Sequence, residues 1–103
     1  MIVRSWRGYA ATDRPGRYPA HLLGTVKPRL EGIAGFRGLY LLKRETPAEI
    51  EYHVLTLWDS MAAIRSFAGE TPDRAVVEPE AAALLRRFDE DVVHYEVMHS
   101  PFA

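Results

Sequence analysis

The sequence predicts an α+β domain of the ferredoxin-like, split βαβ kind, a four-stranded antiparallel sheet with helices on one face. Three observations lead there. The run Tyr52-His53-Val54-Leu55-Thr56-Leu57-Trp58 is β-rich and apolar at both residue parities, so both faces of its strand want burial. It passes through Asp59-Ser60 into Met61-Ala62-Ala63-Ile64-Arg65-Ser66-Phe67, a strand-to-helix junction. The elements along the chain then follow in the order strand, helix, strand, strand, helices, strand. At 103 residues this is a single domain, residues 1–103. One sheet with two or three helices covers only one of its faces, so the second apolar face predicts a homodimer closing against it.

Ile2 to Tyr9 alternates loosely in β-branched and aromatic types and predicts a first strand ending near Gly8 or Ala11. Thr12-Asp13-Arg14-Pro15-Gly16 is a turn. A helix follows with Pro19 near its first turn, where a missing N–H is harmless. Its apolar stripe, Tyr18, Leu22, Val26 and Leu30, has a strict four-residue spacing, and Pro28 predicts a kink or short break after Lys27. Gly32, Gly35 and Gly38 punctuate the entry to a second strand, Phe36 to Arg44. Glu45-Thr46-Pro47 turns the chain into a hairpin with Ile50 to Trp58. Ser60 or Asp59 caps a helix whose Ile64, Phe67 and Ala68 face inward, and Gly69 stops it. Glu70-Thr71-Pro72-Asp73 connects to a last helix opened by Pro79, with Ala81, Leu84, Leu85 and Phe88 at helical spacing. Val92 to Met98 is the final strand.

The net charge of −1 argues against a nucleic-acid partner, which needs a basic face to displace counterions. The absence of cysteine excludes disulfides, thiolate nucleophiles and Cys-based metal sites. No run approaches the roughly 20 apolar residues of a membrane helix, and Met1-Ile2-Val3-Arg4-Ser5-Trp6 lacks a signal-peptide core. A soluble, cytoplasmic protein with no membrane partner is expected. The four histidines are scattered without metal-ligand spacing, and the glycines lack the G-x-G-x-x-G pattern, so neither metal nor nucleotide cofactor is expected. There is no asparagine or glutamine, which leaves side-chain contacts to a ligand to Ser, Thr, Tyr, Trp, His and charged groups.

Several local runs, taken in order, resemble one family. They are Trp6-Arg7-Gly8, Gly35-Phe36-Arg37-Gly38, Leu57-Trp58-Asp59-Ser60, Phe67-Ala68-Gly69-Glu70, Arg74-Ala75-Val76-Val77 with Pro79-Glu80, and His94-Tyr95-Glu96-Val97. Over nearly the whole chain this resembles the antibiotic biosynthesis monooxygenase domain, a dimeric α+β barrel. The resemblance implies a small oxygenase that oxidises an electron-rich phenol with O2 and no cofactor, or a haem degrader, or a member without known chemistry. The haem-degrading pattern uses an Asn on the first strand, a Trp on the helix after strand three and a His beyond it. This chain has no Asn, carries Phe67 near the place of the Trp, and has Val76-Val77-Glu78 in the region of the His.

A cofactor-free oxygenase needs an anionic, electron-rich substrate, hence a base, donors for the anion and a dry aromatic pocket. Histidine is the natural base near neutral pH. His94 shares a strand face with Glu96, a carboxylate placed to orient its ring and raise its basicity. The alternative is a hydrogen bond across the sheet or dimer interface. His53 shares a face with Leu55 and Leu57 whereas Trp58 goes with Tyr52, Val54 and Thr56, so His53 and Trp58 cannot line one pocket without a bulge. The resemblance puts Trp58 in a pocket between helices and sheet, and His53 then looks into the dimer interface. The catalytic candidates are therefore His94, Trp58 and His53. Trp6 and Arg4 share a face and Tyr18 and His21 lie one helical turn apart; with Phe67 they are the candidates for binding the substrate, against plain packing and ion pairing as the alternative. The expected function is a cofactor-independent oxidation of a small polyketide- or quinol-like aromatic. A non-catalytic ligand-binding dimer, or a cyclase or isomerase, is the alternative.

Overall fold

In a computed structural model describing residues 1–102, the strict alternation of β3 (Ile50–Trp58) organises everything else. Ile50, Tyr52, Val54, Thr56 and Trp58 are buried beneath the helices, while Glu51, His53, Leu55 and Leu57 are half-buried on the opposite face. β1 (Ile2–Ala10) and β2 (Phe36–Glu45) flank β3 antiparallel, in registers that put Arg4 opposite Thr56, Trp6 opposite Val54 and Tyr40 opposite Leu55. A bulge between Phe36 and Gly38 interrupts the second ladder. The sheet order is β2-β3-β1, with two short strands, β4 (Arg87–Phe88) and β5 (Val93–Glu96), both pairing with the outer edge of β1. This is the ferredoxin-like α+β arrangement, with helices on one side of the sheet.

The helical stripe is buried at Tyr18, Leu22 and Leu30, yet the helix is not regular. α1 (Arg17–His21) widens into a π turn over Leu22–Val26, where Lys27 N–H bonds back to Leu22 O, and resumes as α2 (Lys27–Glu31). The break thus falls before Lys27 rather than after it. The cause is Pro28, whose ring would collide with the carbonyl four residues back and whose missing N–H leaves a ladder bond unmade. The wider turn relieves both and lets Pro28 sit at the start of α2. It also corrects the stripe, because residues spaced by four drift by about 40° per repeat on a 3.6-residue helix.

The C-terminal third departs further from expectation. α4 spans only Pro79–Ala83, and the apolar periodicity through Phe88 does not continue as helix. Arg86 N–H bonds Tyr9 O at 2.7 Å and Asp89 N–H bonds Arg7 O at 2.9 Å, so the chain pairs with β1, and Phe88 sits 6.3 Å from the Trp6 ring. The unpaired outer edge of β1 outcompetes helix propensity. The final strand is likewise shorter than Val92 to Met98. Between β4 and β5 the chain instead pairs with the connector, through Ala75 N–H to Glu90 O and Val92 N–H to Asp73 O, both 2.8 Å.

α3 (Met61–Ala68) is capped by Ser60, whose hydroxyl oxygen accepts from Ala63 N–H at 3.2 Å, and ends at Gly69 with φ +82°. Its first turn crosses the entry to β2 at Gly35. There φ is +92°, and a Cβ would lie 2.6 Å from the Ala63 Cβ. Gly35 O also accepts from Asp59 N–H at 2.8 Å, which closes the junction between β3 and α3. Gly35→Ala is therefore expected to destabilise the fold by about 2–3 kcal/mol, since left-handed strain and a steric clash add. Urea unfolding of the two proteins measures this, and a change within about 0.5 kcal/mol would refute the close approach.

Candidate functional site

Two core clusters lie under the helices, one around Tyr18, Leu22, Ile50, Tyr52 and Val54, the other around Leu30, Trp58 and Ile64. Where they meet the packing is incomplete, leaving a half-open cavity of about 90 Å³ between helices and sheet. All five residues expected to bind a ligand, Arg4, Trp6, Tyr18, His21 and Phe67, line it. The wall also takes Thr56 from β3 and Val76, Val77 and Glu78 from the connector before α4. None of those four was among the residues expected to bind a ligand, although Val76-Val77-Glu78 fall in the region of the His of the haem-degrading pattern. Thr56 has the parity of the helix-facing set and was legible in the alternation, whereas the connector's return over the sheet follows from tertiary pairing.

The aromatic wall is built from long-range contacts. The Trp6 ring lies 6.1 Å from Tyr18, and its indole N–H donates to Asp89 O at 2.8 Å. Gly8 leaves it room, because a Cβ there would come within 2.8 Å of the ring. Tyr18 packs 5.3 Å from Tyr52, and burial pushes its phenol well above the ordinary range, so its hydroxyl stays protonated and available as a donor. His21, at the end of α1, has its Nε2 buried without a hydrogen-bond partner among the described residues.

Arg4 supplies the cavity's positive charge and is only 5% exposed. One guanidinium nitrogen donates to Pro72 O and stands 3.0 Å from His94 Nε2; the other donates to Arg74 O at 2.9 Å. The Phe67 ring lies 5.7 Å from its charge centre, within cation–π range. Burial lowers the Arg4 pKa, with Asp73 opposing. Because a guanidinium only donates, His94 Nε2 must accept, and the ring proton belongs on Nδ1, 3.2 Å from Asp73 Oδ1. Asp73–His94–Arg4 is thus a continuous hydrogen-bonded chain ending at the cavity wall.

The three residues expected to be catalytic lie outside that wall. His94 stands behind Arg4 with both ring nitrogens engaged, and its carboxylate neighbour is Asp73 rather than Glu96. Its basicity is lowered, not raised: burial and Arg4 depress the pKa and Asp73 only partly offsets them. Trp58 is on the cavity's side of the sheet but wholly enclosed, 5.2 Å from Phe36 and 5.8 Å from Phe67, its N–H donating to Thr56 Oγ1 at 2.8 Å. His53 stands on the opposite face, its Nε2 2.7 Å from Ser5 Oγ. Its pKa is also lowered, by burial and Arg7, against Glu51 and Asp89. No group of three or more His, Cys, Asp or Glu among the described residues is placed to hold a metal ion, and no helix among them is long and apolar enough to cross a membrane.

Both lowered imidazoles link stability to pH. The unfolded chain takes up protons near the ordinary value of 6.5 while the folded chain resists them. Their contribution is complete above that pH and is lost as pH falls below it toward the folded values. Protonation at His94 would also set an imidazolium N–H against the Arg4 donor. The melting temperature is expected to fall between about pH 6.5 and 5, and to fall less steeply in His94→Gln. Thermal melts across that interval measure it; equal slopes would remove His94 as a source.

No family model matches the chain, and no curated protein matches it in sequence. Solved structures do. A Bacillus cereus protein named as a candidate antibiotic biosynthesis monooxygenase superimposes with a TM-score of 0.70 at 18% identity, over 100% of this chain and 96% of that one. The haem degrader MhuD from Mycobacterium tuberculosis, with two haems bound in its active site, gives 0.60 at 20% identity over 97% and 98%. A substituted MhuD with two manganese protoporphyrin IX per active site gives 0.61 at 19% over 97% of each chain. At such identities the likeness is one of backbone architecture. The chain therefore has the antibiotic-biosynthesis-monooxygenase-like α+β fold.

Proposed function

We propose that the protein is a homodimer that binds a small aromatic molecule in the cavity between helices and sheet and oxidises it with O2 without a cofactor. The observation that carries this reading is the convergence of Arg4, Trp6, Tyr18, His21 and Phe67 on one half-open, mostly apolar cavity. Aromatic faces hold a ring, and the Arg4 guanidinium favours the anionic form that O2 chemistry requires. His94 and Trp58 are positioning residues here, the first fixing Arg4 and the second backing Phe67. The balance needs no outside reductant: a phenol with a free para carbon and one O2 give a quinone and one water, the ring supplying all four electrons.

Size selects among aromatics. An apolar cavity of about 150 Å³ accommodates benzene, and this one is about 90 Å³. A single ring that projects toward solvent suits it, and a fused polycycle or haem requires the walls to move. The same small volume favours a second reading, a ligand-binding domain without turnover. Val76, 46% exposed and on the cavity wall, is the place to distinguish a ligand site from incomplete packing. Val76→Trp is expected to weaken binding of single-ring phenols at least about tenfold with the fold retained, as read by calorimetry and circular dichroism. O2 uptake on adding the phenols to the wild type separates turnover from binding alone.

The dimer is supported by the uncovered sheet face. Tyr40, Leu42, Val93 and Tyr95 are between 43% and 57% exposed there, beside half-buried Leu55 and Leu57. An apolar patch of that continuity on a small domain marks an interface. His53 lies within it, paired in register with Leu42. Sedimentation at micromolar concentration is expected to give a dimer for the wild type and a monomer for Leu42→Lys. A wild-type monomer would overturn the assembly.

A further inference from the structure

We infer that the cleft between the turn entering α1 and the segment leaving α4 is a second ligand site, in which Arg14, Arg17 and Arg86 hold the phosphate head of a small organic phosphate monoester. The site is separate from the cavity between helices and sheet and does not depend on the function proposed for that cavity.

The first observation is an imbalance in how the chain matches its charges. Most of its 13 lysine and arginine side chains, from Arg7 with Glu51 to Arg87 with Glu49, pair with a carboxylate. Among the described residues Arg4, Arg14, Arg17, Arg65 and Arg86 do not. Arg4 is buried and met by carbonyls and His94; the other four are exposed, and three of them line one cleft of about 240 Å³. An ordinary solvated surface intersperses charges of both signs. Guanidiniums gathered without that compensation repel one another, and an anion between them relieves the repulsion.

The backbone that carries the three side chains is held by long-range bonds. The hydroxyl of Tyr52, a residue only 1% exposed, donates to Pro15 O and pins the turn that presents Arg14 and Arg17. Arg86 N–H donates to Tyr9 O at 2.7 Å, which docks its segment on the end of β1. The Arg86 guanidinium donates to Ala48 O at 2.8 Å and keeps its other N–H groups for a ligand. Chain already fixed in this way loses less freedom on binding.

Charge and shape select the ligand. Asp13 is the one carboxylate on the lining, so the three guanidiniums leave a surplus of positive charge that a phosphate monoester, close to a dianion at neutral pH, neutralises. Guanidinium forks also match phosphate oxygens in bidentate pairs. The rest of the lining is Ala10, Ala11, Ala83, Leu84 and Leu85, an apolar floor beside the charged rim. The cleft is larger than the roughly 150 Å³ that takes benzene, so a ring or short chain lies on that floor while its phosphate meets the arginines.

The test is calorimetry with phenyl phosphate, inorganic phosphate and benzoate in about 0.15 M salt, where exposed charges more than about 8 Å apart are screened. Phenyl phosphate is expected to bind with a Kd below about 1 mM, and at least about fivefold more tightly than the other two, which lack the ring or the second charge. Arg17→Gln and Arg86→Gln should each weaken it at least about fivefold, and Asp13→Asn should tighten it. Arg65→Gln, at the exposed unpaired arginine outside the cleft, should leave it unchanged. No binding of phenyl phosphate, or a loss in Arg65→Gln equal to that in Arg17→Gln, overturns the site. Equal affinity for inorganic phosphate overturns the organic ester, and equal affinity for benzoate overturns the phosphate. Val76→Trp, which alters the cavity, should not change phenyl phosphate binding; a loss there would put the ligand under Arg4 and overturn the separate site, whereas the cavity itself stands or falls on its own phenols.

Discussion

A guanidinium cannot be buried alone. Removing it from water costs several kcal/mol unless its donors are met, and Arg4 is met by two backbone carbonyls, an imidazole lone pair and an aromatic face rather than by a carboxylate in contact. Those partners come from segments far apart in sequence: the connector at residues 72–74, β5 at His94, and α3 at Phe67. One side chain on β1 therefore fixes where the connector crosses, which tautomer His94 adopts and where the cavity wall stands. Loosening that centre disturbs the connector's crossing, the His94 tautomer and the cavity wall together.

The second constraint is the two-residue period of the strands. On β1 and β3 it sorts Arg4, Trp6, Val54 and Thr56 to one side and Ser5, His53 and Leu55 to the other. A sheet has no way to mix these sets without a bulge, and the bulge that does occur, between Phe36 and Gly38, lies at the far end of β2. Two separate environments result: a helix-covered side containing a cavity, and an open side whose apolar residues await cover. Substitutions at adjacent positions such as Ser5 and Trp6 therefore act on separate environments.

Much of this was legible in the residues. Strand alternation gave the opposition of His53 to Trp58, because period-two burial is a local signal, and turn and cap residues gave the hairpin of the second and third strands and a helix cap at Ser60 or Asp59. The five wall residues were likewise read from parity and helical spacing. What local signals could not carry was competition. Ala81, Leu84, Leu85 and Phe88 do form a helical period, but the vacant edge of β1 draws Arg87 and Phe88 into the sheet. The partner of His94 was misread for a similar reason: Glu96 is two residues away on the same strand face, whereas Asp73 arrives on a connector whose course depends on Arg4. The missing hydrogen bond at His21 is invisible in sequence, since it is defined by what the folded chain leaves out.

The π turn at Leu22–Val26 has a consequence for how such a cavity diversifies. Leu22, Val26 and Leu30 form its helical wall, and their aim depends on the one-residue surplus that Pro28 holds open. A wide turn of this kind differs from a regular helix by a single inserted residue, so gain or loss of one codon here, with a compatible residue at position 28, would rotate the wall while leaving every strand pairing untouched. Related chains could thus reshape the cavity by changing length in one helix, and an alignment forced through this segment without a gap would set side chains from different faces against one another.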